Sequence, residues 1–83
     1  MYQIDFTETA LKQFLKLPKQ IQERVSGGLE RVRIRPQTYL TKLVGKPWYR
    51  LKVGDYRVIV DLQHEKLLVL VIQIGHRKNV YDR

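Results

Sequence analysis

An α+β domain, in which a helical hairpin packs on a largely antiparallel sheet, is the fold class that these 83 residues predict. Three observations carry the prediction. The chain opens with period-two alternation at Tyr2, Ile4 and Phe6, the mark of a half-buried strand. Two stretches with apolar residues three and four apart follow, as in amphipathic helices. Gly54-Asp55 then separates two alternating runs, and a nearly continuous Val- and Ile-rich run comes after them. The order is β-α-α-β-β-β with a short tail, read as a single domain over residues 1–83, because a chain this short has room for one core.

Each element has its own signals. Thr7 offers an N-cap after the first strand, and Glu8 stands in the favourable first turn of a helix that buries Ala10, Leu11, Phe14 and Leu17. Pro18 ends that helix and is suited to the first position of the next, where its missing N–H costs nothing. Ile21, Val25, Leu29 and Val32 repeat at helical spacing up to the stop at Pro36. Gly27 and Gly28 cost about 1 kcal/mol each relative to Ala in such a helix. Gly28 lies on the apolar stripe and marks either a close contact of the helix or a kink or early break. Residues 36–47 form a connection anchored by Tyr39, Leu40 and Leu43, with Gly45 and Pro47 near its end. Trp48 to Val53 and Tyr56 to Leu62 alternate around Gly54-Asp55 as a β-hairpin with a two-residue loop. A turn near Gln63 to Glu65 leads into Leu67 to Ile74, whose unbroken apolar character predicts a central strand covered on both faces.

Composition excludes several classes of function. With 43% hydrophobic and 29% charged residues the chain reads as globular, and no stretch is apolar for long enough to span a bilayer, so no membrane is expected. The start MYQIDF lacks a basic region followed by an apolar run, which predicts no signal peptide and a cytoplasmic location. There is no cysteine, hence no disulfide framework or thiolate metal site, and two isolated histidines without a paired acidic motif supply no ligand set for Zn or Mg. Ser26, the only serine, falls inside the second predicted helix, and no Gly-rich phosphate loop is present, so no cofactor is expected. A formal charge of +8, from sixteen Lys and Arg against eight Asp and Glu, attracts polyanions. Nucleic acid or an acidic protein is the expected partner, the lesser alternative being that the excess charge only keeps the protein soluble.

The position of the cations is more informative than their number. If Gly54-Asp55 closes the hairpin, antiparallel partners share a constant sum, so Val53 faces Tyr56, Lys52 faces Arg57 and Arg50 faces Ile59. Arg50, Lys52 and Arg57 then share one face of the sheet. Like charges directly opposite are destabilising by a few tenths to about 1 kcal/mol, so this pairing lacks a stability rationale unless an anion such as phosphate sits between them. The plain alternative is that these side chains splay into water and reach Asp55 or Asp61. A second group, His76, Arg77 and Lys78, follows the apolar strand, and a meander returns it beside Arg57. Tyr81 is suited to stacking on an unpaired base, or else to packing on the sheet edge. His76 reads either as an ordinary surface residue or as an acid near neutrality.

The run Leu43-Val44-Gly45 through Trp48-Tyr49-Arg50-Leu51-Lys52-Val53, then Gly54-Asp55-Tyr56-Arg57-Val58-Ile59, closing on Ile74-Gly75-His76-Arg77 and Tyr81, resembles the RelE/ParE toxin superfamily. The likeness covers nearly the whole chain, and its fold order is the one read above. The RelE branch implies a toxin of a type II toxin–antitoxin pair, a ribosome-dependent endoribonuclease that cuts mRNA in the A site by attack of the RNA's own 2′-hydroxyl, without a metal. The resemblance assigns Lys52 as base or electrostatic stabiliser and Arg57 as holder of the phosphate. It assigns Arg77 to the transition state or to protonation of the leaving oxygen, and Tyr81 to positioning the base. Because arginine does not readily give up its proton, Arg57 and Arg77 are expected mainly to stabilise charge. Arg50, His76 and Lys78 complete the expected substrate-contacting set. Arg50 stands where well-studied members carry a second lysine, and the segment from Arg77 to Tyr81 is shorter than in some relatives.

The same resemblance implies as partners a RelB-like antitoxin that wraps the domain, and the small ribosomal subunit with its mRNA. Two alternatives remain open from sequence. One is the ParE branch, which shares the fold and poisons DNA gyrase. The other is a non-catalytic RNA- or ribosome-binding module using the same basic face for phosphate contacts.

Overall fold

A five-stranded sheet with helices on one face forms the molecule, and the computed structural model describes residues 1–80 of it. The elements are β1 (Gln3–Phe6), α1 (Glu8–Leu15), α2 (Lys19–Ile34), a short α3 (Pro36–Tyr39), β2 (Thr41–Lys42), β3 (Tyr49–Val53), β4 (Tyr56–Gln63) and β5 (Leu68–His76). Strand order is β1-β5-β4-β3-β2, with β1 parallel to β5 and every other pair antiparallel. The α+β class and its expected order therefore hold. The connection over residues 36–47 adds a helical turn and a two-residue strand that periodicity does not reveal.

Local chemistry explains the helix ends. The Thr7 hydroxyl accepts the Ala10 N–H at 3.1 Å, satisfying one of the donors that the first turn of α1 leaves without an intrahelical partner. Pro18 has extended ψ of 146° and stands just before α2 as its N-cap, one position earlier than expected. Pro36 opens α3. Helix α2 runs unbroken through Gly27 and Gly28, so Gly28 marks a close contact and not a kink. The contact is with the sheet, since a Cβ at Gly28 would lie 3.1 Å from Leu51 Cδ2.

The main core lies between the helices and one sheet face: Ala10, Val25, Leu29 and Val32 meet Leu51, Val53, Val58, Val60, Val69, Val71 and Ile74. A smaller cluster on the opposite face contains Leu43, Ile59 and Val80, with Trp48 and Ile72 against it. Covered by both clusters, β4 is the strand buried on its two faces, with Arg57 to Val60 all buried. In β5, expected to be the doubly covered strand, Leu68 and Leu70 are only half-buried. A bulge in the β4–β5 ladder lies between Ile59 and Val60, with Ile72 between the paired Val71 and Gln73. Just beyond it the Gln13 side chain of α1 accepts the Ile74 N–H at 2.7 Å, which ties α1 to the ladder.

Candidate nuclease site at the hairpin end

The β3–β4 hairpin brings the first cations together. Gly54 takes a positive φ of 57°, which a residue with a Cβ adopts only at a cost, and closes the two-residue turn. Val53 pairs with Tyr56, Lys52 with Arg57 and Arg50 with Ile59, the register expected from sequence. The pleat therefore sets Arg50, Lys52, Arg57 and Ile59 on the face away from α1 and α2. Arg50 is half-buried and pairs with Thr41 of β2 on its other side, whereas Lys52 is exposed.

Arg57 is unlike its neighbours, being only 7% exposed. Its Nη1 donates to the Gly54 and Tyr56 carbonyls, each at 2.9 Å. One guanidinium thus fixes the turn and places a positive charge below the surface, where solvent screens it less than it screens Lys52.

The end of β5 returns beside this turn. Gly75 pairs with Arg57 and His76 with Tyr56, and the Arg77 N–H donates to the Asp55 carbonyl at 2.8 Å. Arg77 itself is exposed, with its Nε 3.9 Å from the Asp55 carboxylate, a loose surface pair of the kind that contributes little to stability. Its backbone is anchored and its guanidinium is free to re-aim. Lys78 is exposed in the turn that follows. His76 lies on the opposite face from Lys52 and Arg57, edge-on to Tyr56 at 5.6 Å, and its Nδ1 accepts the Lys78 N–H at 3.2 Å. The structure therefore gathers Lys52, Arg57 and Arg77 around the hairpin end, keeps Arg50 two residues along, and turns His76 away. Tyr81 lies outside the described residues.

Two residues of this face carried no role in the sequence reading. Gly75 leaves room for Val80, whose Cγ2 would sit 2.6 Å from a Cβ placed there. Val80 is 7% exposed and packs into the cluster of Ile59 and Leu43, so the chain as far as Val80 turns back onto the cationic face. A lone glycine in an otherwise apolar strand was the available signal, since such positions often mark a close approach of chain. Among the described residues no group of three or more His, Cys, Asp or Glu is placed to hold a metal ion, and no helix is long and apolar enough to cross a membrane.

Known proteins resemble this chain in sequence and in fold. Residues 4–81 match the family described as the ParE toxin of the type II toxin–antitoxin system parDE. The mRNA interferase toxin RelE of Escherichia coli K12 is 35% identical over 80 residues, spanning 93% of this chain and 84% of that one. Among solved structures, the intact E. coli RelBE toxin–antitoxin complex superposes with a TM-score of 0.82 at 33% identity, covering 92% of this chain and 96% of that chain. The RelBE2 toxin–antitoxin complex of Mycobacterium tuberculosis gives 0.83 at 24% identity, with 92% and 98% covered, and speaks for the fold alone. The chain belongs to the RelE/ParE superfamily of type II toxins, on the side of its RelE relatives.

Proposed function

We propose that this chain is a cytoplasmic mRNA interferase that cuts messenger RNA in the ribosomal A site and is held inactive by a RelB-like antitoxin. The observation that supports it is the juxtaposition of Lys52, Arg57 and Arg77 at one hairpin end in a chain 35% identical to an mRNA interferase toxin. In the proposed reaction the 2′-oxygen attacks the adjacent phosphorus as its proton passes to a base. The O2′–P bond forms, the P–O5′ bond breaks, and the 5′-oxygen takes up a proton, which leaves a 2′,3′-cyclic phosphate and a 5′-hydroxyl. Lys52, exposed on the face, serves as base or as electrostatic partner of the phosphate. Arg57, buried and fixed, supplies a stationary positive field. Arg77 meets the negative charge that builds on the phosphate, and Tyr81 is assigned to the base.

In vitro translation with a primer-extension readout tests this directly. Wild-type protein gives new mRNA ends at ribosome-stalled codons, and Arg77→Ala lowers their yield roughly a hundredfold or more, the usual scale for removing one donor to a developing oxyanion. Intact mRNA with normal translation would defeat the reading. Because the matching family carries the ParE name, a DNA supercoiling assay with gyrase is the measurement to make in that event.

A further inference from the structure

A groove on the other side of β3 from the proposed catalytic face is lined by Glu23, Arg24, Gly27 and Arg31 of α2 and by Lys52, Val53 and Gly54 of the hairpin, and encloses about 330 Å³. Arg24 and Arg31 are seven residues apart, hence on one face of the helix and about 10 Å apart along its axis. Gly54 makes room for the Arg24 head group, and the Arg31 head group lies within ordinary contact distance of Gly27. A Cβ at Gly54 would meet Arg24 Nη1 and Nη2 at 3.1 Å, and one at Gly27 would come within 3.9 Å of Arg31 Nη1. Among the described residues neither arginine is paired with a carboxylate, Arg31 resting instead over the Tyr39 ring at 5.9 Å. One carboxylate, Glu23, stands beside these two arginines in the lining.

The floor also offers a donor. In a hairpin with a two-residue loop the pair next to the turn exchanges hydrogen bonds and the following pair does not, so the Lys52 N–H points away from β4. Strand β2 pairs only with Tyr49 and Arg50, which leaves the Lys52 edge open to the groove. Lys52 thus belongs to both places: its side chain to the cationic face, its backbone to the groove.

We propose that this groove binds the sugar–phosphate backbone of the RNA strand on one side of the cleaved bond, Arg24 and Arg31 each taking a phosphate. This rests on the nuclease reading for the identity of the strand. Forked guanidinium groups match phosphate oxygens, and the lining provides one apolar residue, Val53, too little to hold a peptide by its side chains. An apolar groove does exist elsewhere, between Ile4, Phe6, Leu11, Phe14 and Leu29, and suits a protein segment far better.

The test is fluorescence anisotropy with a labelled single-stranded RNA dodecamer over a range of salt, comparing wild type with Arg24→Ala/Arg31→Ala and with Lys19→Ala/Lys66→Ala. The second pair removes the same charge from exposed positions outside the groove. Losing two phosphate contacts lowers the slope of log affinity against log salt by about 1.4 and weakens binding more than tenfold near 0.1 M salt, while the control pair changes little. Arg24→Lys/Arg31→Lys restores most of the slope and answers any concern that the alanine pair misfolds. Equal losses in the alanine and control pairs would show that only net charge matters and would overturn the proposal. Unchanged RNA binding with weakened binding of an acidic antitoxin peptide would overturn it too, in favour of a protein partner. Because the readout is binding of free RNA, a cleavage reading that fails with Arg77→Ala leaves this result interpretable on its own.

Discussion

The hairpin cations divide into one that builds the site and others that populate it. Arg57 is buried with two carbonyls on one nitrogen, so Arg57→Ala strips the turn of its tie and leaves those acceptors without their charged donor, costing about 1.5–3 kcal/mol. Lys52 is exposed and opposed by a like charge, so Lys52→Ala changes stability by no more than about 0.5 kcal/mol. Urea denaturation of both variants beside the translation assay separates the two roles: cleavage falls in each, and the denaturation midpoint moves only in Arg57→Ala. A midpoint shift in Lys52→Ala as large as that in Arg57→Ala would refute the division. The pairing of Lys52 with Arg57 was legible because two turn residues fix every partner by arithmetic. The burial of Arg57 was not: the alternation of its own strand gives no sign of it, and the segments packed on that face, carrying Leu43 and Val80, lie far from it in sequence. The group of His76, Arg77 and Lys78 was expected to converge on Arg57, and the bulge at Ile72, which no local pattern reports, reverses the alternation of β5 and sets His76 on the helix side.

Among the elements, β5 and the turn after it do the most to shape the cationic face. The bulge that moves His76 to the helix side moves Gly75 to the cation side, and Val80 fills the room that Gly75 leaves. Gly75→Ala forces Val80 out of that place, at a cost of about 1–3 kcal/mol for overpacking. Val80→Ala added to it relieves the clash, so the double variant is more stable than the sum of the two single changes implies, as a thermal-denaturation cycle would show. Strict additivity would mean that Val80 does not occupy the glycine's space. Helices α1 and α2 and the hairpin could be read from caps, prolines and periodicity because their signals are local. Strand β2 and α3 are too short for any period, and the place of β1 beside β5 depends on a partner at the far end of the chain.

At the scale of the whole molecule, that parallel pairing closes the sheet. Gln3 pairs with Leu68 and Phe6 with Val71, while the Tyr2 N–H donates to the Arg33 carbonyl at 2.9 Å, so β1 bridges the end of α2 and the last strand. Closing so long a loop is the entropically expensive step of assembly and is expected late. Ile4→Ala, at a half-buried position on the main core, therefore destabilises by about 2 kcal/mol and acts chiefly by speeding unfolding, with the refolding rate nearly unchanged in stopped-flow experiments. Slowed refolding would place β1 in the folding nucleus instead. The same geometry governs when the protein becomes dangerous to the cell that makes it. A nascent chain that stops before residue 68 has no rail for its first strand, and neither Gly75 nor Arg77 has yet been added beside the hairpin. On the proposed reading, translation must pass residue 77 before the chain can harm any ribosome, which leaves that interval for a waiting antitoxin.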